Sequence, residues 1–155
     1  EEFNKKQLIM SEVFEIGISK FSGKEITKVN KIELESGKGI VGDRHFHDYN
    51  DPYNQLSLIE SENIDYYNEK FDLTIPYINF RRNIITKGIR LNDLVGKKLL
   101  IGEVKVEVID LCRPCKNLEK NLGKDNIIKE FLRRGLRCEI LNSSIIKVGD
   151  KIKCF

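Results

Sequence analysis

The 155-residue chain has no tryptophan, one methionine, three prolines and two histidines. Nothing in it reads as a Pro-rich linker, a low-complexity tract or an internal repeat, so one domain is expected over residues 11–155, after an N-terminal tail of residues 1–10. No apolar signal segment opens the chain, and a protein of this size needs no covalent staples. A reduced, cytoplasmic protein with no membrane partner is therefore expected. Its four cysteines contain a single C-x-x-C, so no disulfide scaffold and only half a zinc ribbon are implied. A net charge of +3 is too small to argue for nucleic acid unless the basic residues cluster on one face, and no nucleic-acid partner is expected. Flavin-type glycine motifs and ferredoxin-type cysteine clusters are also missing, so electrons for any redox chemistry would come from a partner.

What is present is an ordinary globular composition, 40% apolar and 33% charged, arranged as many short β-rich runs. Strands are expected at Val13 to Ile18, Ile26 to Leu34, Gln55 to Ile59, Asn83 to Thr86, Lys98 to Ile101, Val104 to Leu111, Arg137 to Leu141, Ile145 to Val148 and Lys151 to Phe155. Turn signals separate them, and Gly102-Glu103 and Gly149-Asp150 read as hairpin turns, the second closing the C-terminal edge. Helices are expected at Ser61 to Lys70, opened by a Ser61 cap and lying on the surface, and at Asp125 to Arg134, stopped by Gly135. Strands outnumber helices without a regular βαβ rhythm. The expected fold is mainly β, an antiparallel β-barrel with a few peripheral helices.

Three polar constellations carry the chemistry. In Leu111-Cys112-Arg113-Pro114-Cys115-Lys116 a thiol leaves the end of a strand beside cationic residues that favour thiolate. Cys112 continues the strand alternation and suits a buried site, whereas Cys115 follows proline in a polar turn that suits a reactive thiol. Zinc binding, thiol exchange and a single soft ligand or sulfur acceptor all remain open on these residues alone, although the βαβ setting of thiol exchange is missing. The Gly-rich stretch Gly39 to Asp48 gathers both histidines: the His-x-His pair His45 and His47 could hold a metal, and Asp43 could orient Arg44 toward an anion, with a solvated turn as the alternative. In Phe80-Arg81-Arg82-Asn83-Ile84, guanidinium forks and an amide suit a phosphate. If these residues lie on a strand, Arg81 and Asn83 share the binding face and Arg82 points the other way, toward the surface.

In this order, Gly39-Ile40-Val41-Gly42-Asp43-Arg44-His45, Gln55 to Ile59, Arg81-Arg82-Asn83-Ile84, Gly88 to Gly96 and Cys112-Arg113-Pro114-Cys115 resemble the MOSC domain, found at the C-terminus of molybdenum cofactor sulfurases. The resemblance runs from about Val13 to the end of the chain. It implies a MOSC-type barrel that binds molybdenum cofactor (molybdopterin), with Cys115 as metal ligand or sulfur carrier and Cys112 as a second cysteine for a relay or disulfide. Arg81 and Asn83 would grip the pterin phosphate, with Arg82 beside them, and Asp43, Arg44 and His45 would line the pocket. Two activities are implied: a molybdenum-dependent oxidoreductase acting on N-hydroxylated substrates, or a protein that hands sulfur or cofactor to molybdoenzymes. The chain lacks the aminotransferase-like part of the pyridoxal phosphate-linked sulfurases. A cysteine desulfurase-like sulfur donor or a reductase electron donor is therefore the expected partner, and the cofactor itself would come from another protein. The alternative is a non-catalytic module in which Cys112, Cys115 and Cys138, with or without Cys154, hold a structural zinc while the basic pairs dock a partner or RNA.

Overall fold

The computed structural model of the chain describes residues 11–21, 25–49, 51–112 and 135–155. The expected tail, the helix expected at Asp125 to Arg134, and Cys115 lie outside the described residues. In chain order the strands are β1 (Glu12–Ile18), β2 (Thr27–Val29), β3 (Lys31–Glu35), β4 (Gly39–Ile40), β5 (Leu56–Glu60), β6 (Ile84–Lys87), β7 (Lys98–Ile101), β8 (Val104–Leu111), β9 (Leu136–Ile140), β10 (Ser144–Lys147) and β11 (Ile152–Cys154). The helix α1 (Ser61–Lys70) lies between β5 and β6.

Eight strands form one sheet in the order β11-β7-β8-β9-β5-β6-β1-β2, and β10-β3-β4 form a second. The large sheet curls until its two ends meet. Glu12 bridges Lys151, the Val13 amide donates to the Asp150 carbonyl at 2.9 Å, and the Gly149 amide donates to the Val13 carbonyl at 2.8 Å. The fold is mainly β and barrel-like, as expected. Inside the curl, alternating residues such as Val104, Val106 and Val108 of β8 join Ile16, Leu58, Ile84 and Ile152 in one apolar cluster.

One pairing departs from the antiparallel expectation: β5 and β6 run parallel, with Leu58 opposite Ile84 and Ile59 opposite Ile85. A parallel pair needs a crossover, which α1 and a 3-10 turn at Tyr77–Phe80 provide. Both strands are then buried on both faces. Leu58 and Ile84 enter the main core, while Ile59 and Ile85 meet Ile64, Tyr67 and Phe80 in a second core. Covering Ile64 and Tyr67 stabilises the crossover by about 2 kcal/mol each. The helix keeps its expected bounds, but Glu60 rather than Ser61 occupies the N-cap, and no side chain caps the turn. Ser61 is instead buried as the first helical residue.

Two further expectations are corrected. The run Ile26 to Leu34 breaks at Asn30, because β2 pairs with β1 while β3 turns into the second sheet to pair with β10 and β4. The Val148 to Lys151 turn is no hairpin: it carries the chain from β10 in one sheet to β11, which pairs with β7, in the other. The Gly102 turn is a true hairpin, closing Ile101 on Val104.

Gly135 is expected to stop a helix that lies outside the described residues; the structure shows what it does on its other side. At φ 92 its α-carbon packs so closely on β5 that an added Cβ would fall on the Leu58 carbonyl oxygen, and its own carbonyl accepts the Cys112 amide at 2.8 Å. Gly149, at φ 93, has open space around it. Gly149→Ala should therefore cost about 1–2 kcal/mol for backbone conformation alone, and Gly135→Ala at least about 2 kcal/mol more, because backbone cannot yield as a side chain can. Urea unfolding of the two variants checks this; equal losses would mean that β5 shifts freely to admit the methyl.

Candidate functional site

Arg81 ends the 3-10 turn at Tyr77–Phe80 in the left-handed conformation, φ 62 and ψ 33, a choice that costs a non-glycine residue about 1–2 kcal/mol. Fully buried Phe80 holds that turn in the second core. The expected strand therefore starts late, at Ile84, and the alternation argument for Arg81, Arg82 and Asn83 does not hold. All three residues line one cleft, Arg82 included.

Asn83 is the structural centre of that segment. Its Oδ1 accepts from the Ser57 amide and the Ser57 hydroxyl, both at 3.1 Å, and its amide donates back to Ser57 Oγ at 3.0 Å. Its Nδ2 donates to the Gly17 carbonyl at 3.2 Å, and its own carbonyl accepts the Gly17 amide at 2.7 Å. One carboxamide thus ties β1 and β5 to the start of β6.

Asp43 plays a similar part in the loop after β4. It is buried, and its two oxygens accept the Ser19 amide at 2.9 Å and the His45 amide at 3.2 Å. The Arg44 amide donates to the Ser19 carbonyl at 2.8 Å, so the loop is stapled to the end of β1. This turns Arg44 and His45 into the cleft. His47 stands apart, stacked on Tyr49 with centroids 4.7 Å apart, so the His-x-His pair does not converge.

The cleft has a volume of about 230 Å³. Its floor is the ladder pair Ser57 and Arg137 of β5 and β9, which alternate with core residues Leu56, Leu58, Leu136 and Cys138 and so face away from the main core. Four guanidiniums line it: Arg44, Arg81, Arg82 and Arg137. Arg137 donates to the Tyr53 carbonyl at 2.9 Å and to Asn54 Oδ1 at 3.2 Å, which fixes its plane. Among the described residues, Arg44, Arg82 and Arg137 have no carboxylate within 4 Å, and the buried Nε of Arg82 has no hydrogen-bond partner. Arg81 is held below the ordinary guanidinium value first by burial and then by Arg44, with Asp43 opposing. The site concentrates positive charge and carries an unmatched donor, a combination that fits an anion with several acceptor oxygens.

Arg137 is absent from the sequence-derived site. On β9 it looks like any polar residue alternating with buried ones, and nothing local separates a solvent face from a cleft floor. Ser57 is missed for the same reason.

The cysteines divide sharply. Cys112 lines the cleft but is 1% exposed, and burial pushes its thiol up, against the opposing pull of Arg82 and Arg137. Cys138 is fully buried, and its thiol is pushed far up by the same cause. Cys154 is exposed on β11, three strand spacings from β9, or about 14 Å. That separation removes Cys154 as a ligand shared with Cys138; Cys115, which the remaining three-cysteine set needs, lies outside the described residues. No group of three or more metal-ligating side chains is found among the described residues.

A family model described as MOSC domain matches residues 42–153. Among solved structures the chain is similar to the YuaD protein from Bacillus subtilis, with TM-score 0.75 at 16% identity over 92% of this chain and 94% of that one. It is similar also to YiiM from Geobacillus stearothermophilus, with TM-score 0.74 at 14% identity over 94% of this chain and 75% of that one. YiiM from Escherichia coli gives TM-score 0.69 at 18% identity over 94% of this chain and 68% of that one. These likenesses establish the fold. No curated protein matches the chain.

Burial and a raised pKa both suppress thiolate, so brief alkylation of the native protein near neutral pH should mark Cys154 and spare Cys112 and Cys138. Peptide mass spectrometry locates the label; rapid marking of Cys112 would show that the cleft opens to its thiol.

Proposed function

The chain belongs to the MOSC domain family, and on that premise we propose that its arginine-lined cleft holds the phosphate of molybdenum cofactor, with the Cys115 thiolate as the protein ligand to the metal. The single observation that carries the reading is the Arg82 donor, buried without a partner beside Arg44 and Arg137, which themselves lack carboxylates among the described residues. A phosphate monoester supplies the acceptor oxygens and negative charge that this wall lacks.

Each residue then has a task. Arg82, Arg81 and Arg137 bind the phosphate, Asn83 and Asp43 hold the segments that present them, and Arg44 and His45 close the rim. Cys115 carries the family's motif position, three residues after Cys112, which lines the cleft. When bound, the cofactor supplies a metal centre for two-electron or sulfur chemistry. The protonated state of Cys112 opposes a relay in which two thiolates pass a persulfide, and so favours Cys115 acting alone as metal ligand. The activity proposed is reduction of N-hydroxylated substrates with electrons from a partner protein. Sulfur or cofactor delivery, fed by a cysteine desulfurase-like donor, is the alternative that the test below separates.

Elemental analysis of protein produced in a host that makes the cofactor should find close to one molybdenum per chain, and none in Cys115→Ser. In Arg82→Ala, cofactor affinity should fall about tenfold to a hundredfold, the worth of a charge-assisted hydrogen bond, with pterin and metal lost together. Persulfide on Cys115 without molybdenum would move the assignment to sulfur delivery. Undiminished molybdenum in both variants would remove the cleft and the thiolate from the account.

A further inference from the structure

Arginine has donors and no acceptor. The contact of 3.1 Å between Arg44 Nε and His45 Nε2 therefore has one polarity: Arg44 donates, and His45 accepts as a neutral imidazole carrying its proton on Nδ1. The Asp43 carboxylate, accepting the His45 amide, holds the ring's backbone in place for this contact. In effect His45 supplies Arg44 with an acceptor in a cleft where a neighbouring guanidinium nitrogen, that of Arg82, has none among the described residues.

An anionic oxygen is a stronger acceptor for a guanidinium than an imidazole nitrogen. We propose that the cleft takes up its anion together with a proton: Arg44 turns its Nε–H from His45 to the anion, and the freed Nε2 of His45 takes a proton and becomes one more donor to the anion. The proton comes from hydronium or the buffer acid, whose O–H or N–H bond breaks and whose conjugate base stays in solution; one N–H bond forms at Nε2, and no bond of the anion is made or broken. The inference rests on the cleft being an anion site, as proposed above.

The groups that face His45 decide the sign. From its own loop these are Asp43 and Arg44, with His47 acting from outside the cleft; from β9, Arg137; and from the segment before β6, Arg81 and Arg82. Before an anion arrives, burial first and then the Arg44 guanidinium hold His45 below the ordinary imidazole value of 6.5, with His47 and Arg137 adding to this and Asp43 opposing. The ring is therefore held toward its neutral form. A dianion in the same cleft reverses the local field and favours imidazolium. By linkage, the proton must then strengthen anion binding by the factor with which the anion strengthens proton binding.

Sulfate is the suitable probe, because it remains a dianion between about pH 5 and 8, where imidazole titrates, whereas phosphate itself changes charge. The chain's two histidines give two imidazole signals, and His47, stacked on Tyr49, serves as the internal reference. Saturating sulfate should raise the His45 NMR titration midpoint by about one unit or more and move His47 less. Sulfate affinity should increase as pH falls, approaching about tenfold per pH unit for one linked proton. In His45→Gln, which keeps a side-chain carbonyl for Arg44, the affinity should lose its pH dependence. Sulfate binding that is independent of pH in the wild type, or equally pH-dependent in His45→Gln, overturns the coupled proton while leaving the anion site standing. Failure of sulfate to bind at any pH overturns both.

Discussion

The hydrogen-bond knot around Asn83 is the constraint on which the rest of this structure depends. Its carboxamide and backbone join Ser57 of β5 and Gly17 of β1 at the point where β6 begins. The next residues, Ile84 and Ile85, must face opposite cores, and a shift of one position would exchange them. A polar side chain buried here would be costly if unsatisfied, so its bonds to Ser57 and Gly17 select one register over its neighbours. The same register delivers Arg81 and Arg82, immediately upstream, to the cleft. Folding specificity and site geometry share one residue.

The cleft is built against the ordinary preferences of electrostatics. Arg44, Arg81, Arg82 and Arg137 are brought around a small volume, and the one carboxylate among the described lining residues, Asp43, is committed to two backbone amides. Like charges so placed repel, and the Nε of Arg82 is buried without a partner among the described residues. The scaffold offsets this with elements that do not bend readily: a curled sheet whose ends are joined at Glu12 and Lys151, and a crossover sealed by Tyr67 and Phe80. A bound anion lowers the free energy of this arrangement, which is the thermodynamic content of calling it a site. The neutral thiol of Cys112, enclosed beside the arginines, is consistent with a wall that packs the cleft and leaves the chemistry to another group.

Much of the fold is legible in period and punctuation. The alternation of Val104 to Leu111 marks β8, and Gly102 marks the hairpin before it, because both signals are local. The parallel pairing of β5 with β6 is not legible. Strands buried on two faces read only as apolar runs, and which neighbour they choose depends on the crossover that α1 provides. The Val148 to Lys151 turn misleads for a related reason: its glycine signals a reversal, but which sheet receives the next strand is settled by β1, whose Val13 bonds both Gly149 and Asp150. The cleft was partly visible as Asp43 to His45 and Arg81 to Asn83. Arg137 was not, since it carries no signature beyond strand alternation.

Residue chemistry along the chain was enough to indicate a mainly β protein of this family, with guanidiniums, a carboxylate and cysteines concentrated in a few short segments. Those properties depend on side-chain type and on neighbours two to four positions away, which a one-dimensional string records. The direction of Arg82, the recruitment of Arg137, the protonated state of Cys112 and the donation from Arg44 to His45 belong to the tertiary structure. The first three arise from groups distant in the chain, β1 with β6 and β5 with β9, meeting at hydrogen-bonding distance; the last joins neighbouring residues, in a loop whose path is set by its bonds to Ser19. Burial and electrostatic fields depend on those separations in space, and separation along the chain carries no record of them.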